Sequence, residues 1–123
     1  MTTDDIPRLV QLADAAQEAI RAINHLTLGS HTPAPVVYDA LGNLKGIGTR
    51  LPQALTQLAA GLGRSLDAYD VYEDEGRDPV QSVATATDHR TRAAGLAVEL
   101  GQELEKAQAA ISGQGFRGDG PRS

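Results

Sequence analysis

At 123 residues the chain has the length of one domain, and its apolar content of 41% is ample for a core. That core must come from leucine and alanine, because there are one Phe, three Tyr and no Trp, a composition that suits closely packed helices and poorly suits a sheet sandwich. A formal net charge of −5 argues against a non-specific grip on nucleic-acid phosphates, and the lack of cysteine excludes disulfides and thiolate metal sites.

The N-terminus carries Thr2, Thr3, Asp4 and Asp5 where a signal peptide would be positive, so a cytoplasmic location is expected. No apolar run approaches the roughly 20 residues of a membrane span. Thr3 or Asp5 can cap a first helix over about 4–27, with acidic side chains at the positive end of its dipole and Pro7 tolerated in the first turn. Ile6, Leu9, Ala13, Ala16, Ile20 and Ile23 make one apolar row, and Leu12, Ala15, Ala19, Ala22 and Leu26 a second beside it. Gly29 is placed to end this helix, and Pro33 and Pro35 make a stiff connector, because residues before proline avoid helical angles.

A second helix is expected over about 35–67. Its apolar register alternates steps of four and three: Val37, Leu44, Leu51 and Leu58 in one row, and Leu41, Gly48, Leu55 and Leu62 in the other. Pro52 has no N–H for the carbonyl of Gly48, yet the register continues across it, which predicts one long kinked helix. Gly42, Gly46 and Gly48 each cost about 1 kcal/mol relative to alanine, so the first half of this helix needs packing to hold it.

Beyond Leu66 an acidic stretch follows, with Asp67, Asp70, Glu73, Asp74, Glu75 and Asp78. A calcium loop with Gly76 at its sixth position would need an oxygen ligand where Val71 stands, so the stretch reads as a solvated connector. Asp78, Pro79, Val80 and Gln81 form a capping box that opens a third helix over about 78–111. Its expected seam is Val83, Ala86, Arg90, Ala93, Ala97, Leu100, Leu104, Ala107 and Ile111, flanked by Val80, Ala84, Thr87, Thr91, Ala94 and Val98. Arg90 is the one charge in that seam, expected to snorkel to solvent along its stem. The glycines at 113, 115, 118 and 120 with Pro121 predict a disordered tail over 113–123.

Catalytic and ligand signals are absent from the sequence. His25, His31 and His89 have no helical i, i+4 partner for a metal, Gly46 and Gly48 lack the third glycine and preceding strand of a dinucleotide loop, and no context exists for a nucleophile elbow. The basic trio His89, Arg90 and Arg92 lacks an aromatic companion and adjoins Asp88, so nucleic acid is disfavoured as a partner.

The Leu26-Thr27-Leu28-Gly29 turn, the Val37-Tyr38-Asp39-Ala40-Leu41 helix opening, the Arg50-Leu51-Pro52-Gln53 segment and the Asp78-Pro79 start together resemble small all-helical proteins of actinobacterial genomes. The resemblance spans 6–111 and implies a fold, with no function to carry over. Tyr69 and Glu73 are similar to the Tyr-x-x-x-Glu signal that follows the helical hairpin of type VII secretion substrates, although the Trp of that family's turn is missing here.

The sequence therefore predicts an all-α, up-down-up three-helix bundle with coiled-coil rows, acting as a non-enzymatic protein-protein interaction or scaffold module without cofactor, metal, membrane or small-molecule substrate. The runner-up readings are a secreted helical-hairpin protein and a small transcriptional regulator. The second and third helices outrun the first, which points to an exposed partner-binding patch at their joined end: Leu62, Leu66, Tyr69, Val71, Tyr72, Val80 and Val83, to be covered by a homodimer mate or a partner with a basic rim.

Overall fold

The structure, a computed structural model, describes residues 5–118, and side-chain surroundings from Pro7. Three α-helices, α1 (Asp5–Thr27), α2 (Ala34–Ala68) and α3 (Pro79–Ala110), and one 3-10 turn (Asp74–Gly76) make up its regular structure, with no strand among the described residues. The all-α, three-helix fold expected from the apolar rows is what forms. Thr3 and Asp4, and residues 119–123 of the expected tail, lie outside the described residues. The described part of that tail leaves the helix through a turn at 111–113 and runs on without regular structure.

The described residues divide into two units, 5–33 with 116–118, and 34–115. In the first, α1 ends as its sequence requires. Gly29 adopts φ +70°, the left-handed conformation that suits glycine, and the Ser30 amide donates to the Thr27 carbonyl at 3.1 Å. The stripe of Leu9, Leu12, Ile20 and Ile23 is exposed along α1.

The second unit is an antiparallel hairpin of α2 and α3, in which early α2 residues meet late α3 residues: Tyr38 with Gln108, Gly48 with Ala97 and Gly101, Thr56 with Arg90. α2 is continuous through Pro52. At the start of α3 the Asp78 carboxylate accepts from the Val80 amide at 3.0 Å, with Pro79 in the first turn. The reciprocal bond from the Gln81 side chain is not made; its backbone N–H bonds the Asp78 carbonyl instead, at 3.1 Å.

The register of the seam differs from expectation by one row on each helix. Leu41, Gly48 and Leu55 face α3 as predicted, with Lys45, Pro52, Ala59 and Leu66 as companions; of the other expected seam residues Leu44 is half-buried, whereas Leu51, Leu58 and Leu62 are exposed. On α3 the row Val83, Arg90, Ala97, Leu104 and Ile111 holds, while Thr87, Ala94, Gly101 and Gln108 replace Ala86, Ala93, Leu100 and Ala107. The cause is the approach of the two backbones. A Cβ on Gly48 would lie 3.0 Å from the Ala97 carbonyl oxygen and 3.0 Å from the Gly101 nitrogen, so the helices touch main chain to main chain at a point where only glycine fits. A leucine row in that position would hold them apart. The close contact leaves little volume between the helices. Ala34 and Ala97 are the buried apolar residues, and no large side chain among those described is fully buried.

Candidate interaction surface

The joined end of the hairpin is built from the α2 C-terminus, the loop over 69–78 and the first turns of α3. Tyr69 closes α2, its amide donating to the Ser65 carbonyl at 3.0 Å. Glu73 anchors the loop by accepting a hydrogen bond from the Ser82 hydroxyl, which stands in the first turns of α3. Glu75 (φ +66°) and Gly76 (φ +74°) then reverse the chain in succession, the first at the strain cost of about 1 kcal/mol or more that a non-glycine residue pays there. Glu73 from the middle of the loop and Asp78 at its end thus tie it to α3; the Asp78 cap is legible in the sequence, whereas the Glu73 tie is not.

The loop's apolar side chains point outward. Tyr72 is 83% exposed, Tyr69 65% and Val80 60%, and Leu62 and Val71 are also exposed. Leu66 and Val83 do not belong with them: both are half-buried as the last rung of the helix seam. Asp67, Asp70, Asp74, Glu75 and Asp78 surround the exposed set, with Arg64 and Arg77 as the nearby cations, and all of these are exposed. The field there is negative.

A second apolar surface lies along one flank of the hairpin, made of residues expected in the seam (Leu44, Leu51, Leu58, Ala93, Leu100) together with Ile47 and Leu96, which no expected row includes. With Leu41, Gly48 and Leu55 in the seam, the row Leu44, Leu51 and Leu58 turns to one side of α2, together with Ile47. In an antiparallel pair the equivalent rows of the two helices fall on the same side, which places Ala93, Leu96 and Leu100 of α3 beside them. The opposite flank is polar or small, with Gly42, Thr49, Thr56 and Gly63 on α2.

Polar contacts across the seam are few. Arg90 meets no carboxylate: its Nη1 donates to the Thr56 hydroxyl at 3.3 Å at an exposed position, while Nε on its stem is buried without a partner. At the open end Gln108 donates to the Tyr38 carbonyl at 3.0 Å and accepts from Lys45 Nζ at 3.4 Å. Gly42 makes this possible, because a Cβ there would sit 2.8 Å from Gln108 Nε2.

Among the described residues no group of three His, Cys, Asp or Glu side chains could hold a metal ion, and no helix is long and apolar enough to cross a membrane. The shallow surface beside Gln17, Ile20, Arg21 and Asn24 runs along α1 alone and is open to solvent. No family model, curated protein or solved structure matches this chain.

Proposed function

We infer that the chain is a non-enzymatic binding module of the cytoplasm, and that the joined end of the hairpin docks a protein partner presenting an apolar centre and a basic rim. The observation that carries this reading is the exposure of Tyr69, Tyr72 and Val80 on and beside a loop tied to α3 through Glu73 and Asp78. Aromatic side chains held outward on a braced loop contribute large contact area at small entropic cost, which is the composition of interface centres. The surrounding carboxylates favour a cationic partner. They also argue against a second copy at this place, since two copies meeting here would bring two acidic rims together. Capture from the native cell on immobilised protein, read by mass spectrometry, tests the reading. A partner retained by the wild type and lost both with Tyr69→Ser/Tyr72→Ser and at high salt supports it, and a partner indifferent to both overturns it.

A second reading, a helical-hairpin export substrate, draws on Tyr69 and Glu73 standing directly after the end of α2. Culture fractionation separates the two, since export places the protein in the medium.

A further inference from the structure

The groups that hold the loop at the joined end of the hairpin lie within the unit of residues 34–115. Of the acidic run, Glu73 is the half-buried member, whereas Asp67, Asp70, Asp74, Glu75 and Asp78 are exposed. Glu73 holds the chain reversal twice. Its carbonyl accepts from the Gly76 amide at 3.2 Å, closing the 3-10 turn, and its carboxylate accepts from the Ser82 hydroxyl on α3. The exposed Tyr72 stands directly before it.

Two features work against this closed arrangement. Glu75 is held at φ +66°, a left-handed conformation that is strained for a residue with a side chain. Glu73 also carries its charge within a run of like charges, in which Arg77 is the cation of the loop. Release of the Glu73 carboxylate, in turn, leaves little undone. The Ser82 hydroxyl has a second acceptor in its own helix, the Pro79 carbonyl at 3.0 Å, so it keeps a hydrogen bond when Glu73 departs, and the freed carboxylate regains water. The start of α3 is unaffected, because its cap is the separate bond from the Val80 amide to Asp78.

We propose that Glu73 and Ser82 form a reversible latch: closed, it holds Tyr72 outward in the arrangement that docks a partner, and open, it frees residues 70–77 while α2, α3 and their seam stay folded. Docking through Tyr72 rests on the function proposed above, whereas the latch stands on the hydrogen bonds alone. A loop already closed loses less freedom on binding than an open one, so the closed fraction sets the affinity of the joined end.

Amide hydrogen exchange of the full chain, read at Gly76, measures the latch, because that N–H is bonded only while the turn is closed. In sub-denaturing urea the exchange of Gly76 stays flat while that of Gly101 in the seam rises, which separates local opening from global unfolding. Ser82→Ala and Glu73→Ala each speed Gly76 exchange by about tenfold, and the double variant is no faster than either. Ser82→Thr keeps the hydroxyl and the wild-type rate. Glu75→Gly relieves the strained turn and slows exchange by roughly threefold. Gly76 exchange that climbs with urea in parallel with Gly101, a Ser82→Ala rate equal to wild type, or additive effects in the double variant overturns the latch. Retention of a Tyr72-dependent partner that Ser82→Ala leaves unchanged, despite tenfold faster exchange, overturns its role in docking. A latch that behaves as stated in a protein whose capture ignores Tyr69→Ser/Tyr72→Ser supports the device and refutes the docking function instead.

Discussion

Gly48 and Gly101 meet backbone to backbone, and the contact is asymmetric. A Cβ added to Gly48 would lie 3.0 Å from the Gly101 nitrogen and 3.1 Å from its Cα, whereas a Cβ added to Gly101 finds its nearest neighbours, Gly48 C and the Lys45 carbonyl oxygen, at an ordinary 3.7 Å. Helix position Gly48 therefore fixes how closely α2 and α3 approach.

The same substitution should then have opposite signs at the two sites. Gly48→Ala forces backbone apart and is expected to lower stability by about 1–3 kcal/mol despite the better helix propensity of alanine. Gly101→Ala keeps the propensity gain and is expected to be neutral or to stabilise by up to about 1 kcal/mol. Urea unfolding followed by circular dichroism measures both, and equal effects would show that the close approach is not rigid.

Pro52 is half-buried in the seam of a continuous helix. Pro52→Ala supplies the missing N–H to the Gly48 carbonyl and removes a ring that the helix interior disfavours by about 3 kcal/mol, while giving up ring contacts with α3. A net rise in the unfolding midpoint is expected. A fall would mean that the proline ring packs better than a regular turn at this position.

Arg90 places a guanidinium in the seam with one 3.3 Å bond to Thr56 and an unpartnered buried Nε. Arg90→Met keeps the aliphatic stem and removes the orphaned donor, so stability should hold or rise by about 1 kcal/mol. A loss beyond about 3 kcal/mol in the same unfolding experiment would reveal an ionic partner for this arginine.

At the open end, Gly42 leaves the room through which Gln108 reaches the Tyr38 carbonyl. Gly42→Ala should displace the flexible amide and come out near neutral, its propensity gain offset by the lost hydrogen bond. In a Gln108→Ala background the same change should stabilise by about 1 kcal/mol. A double-mutant cycle with no coupling would show that the glycine does not serve this bond.

Leu66 and Val80, though close in the fold, should separate experimentally. Val80→Glu changes a 60% exposed side chain and should leave helical content intact, whereas Leu66→Glu puts a carboxylate into the last rung of the seam and should destabilise by roughly 2–4 kcal/mol. Thermal unfolding of the two single variants measures the difference.

Much of the hairpin is legible one residue at a time. Gly29 ends α1 because a left-handed cap suits glycine, Asp78 and Pro79 open α3 because one supplies an acceptor and the other needs no N–H partner, and the acidic loop stays in solvent because burying its carboxylates would cost them their hydration. The tie that braces the loop from its middle was not legible. Glu73 to Ser82 joins residues nine apart across a chain reversal, and no local pattern announces it. Likewise Leu66 and Val83 read as patch residues until the register of the seam shows them inside it.

The sequence by itself determined three helices, their caps and the presence of two adjacent apolar rows on each long helix, because propensity, capping and periodicity are local properties. Which row becomes the seam is not local. Leu44, Leu51 and Leu58 and the row one residue onward, Lys45, Pro52 and Ala59, both continue the heptad of Leu41, Gly48 and Leu55, and hydrophobicity favours the leucines. The tertiary structure decided for the row of Lys45, Pro52 and Ala59, because Gly48 can approach Gly101 only when no bulky side chain stands between the helices at that point, and Leu51 and Leu58 are left exposed with Leu44 half-buried beside them.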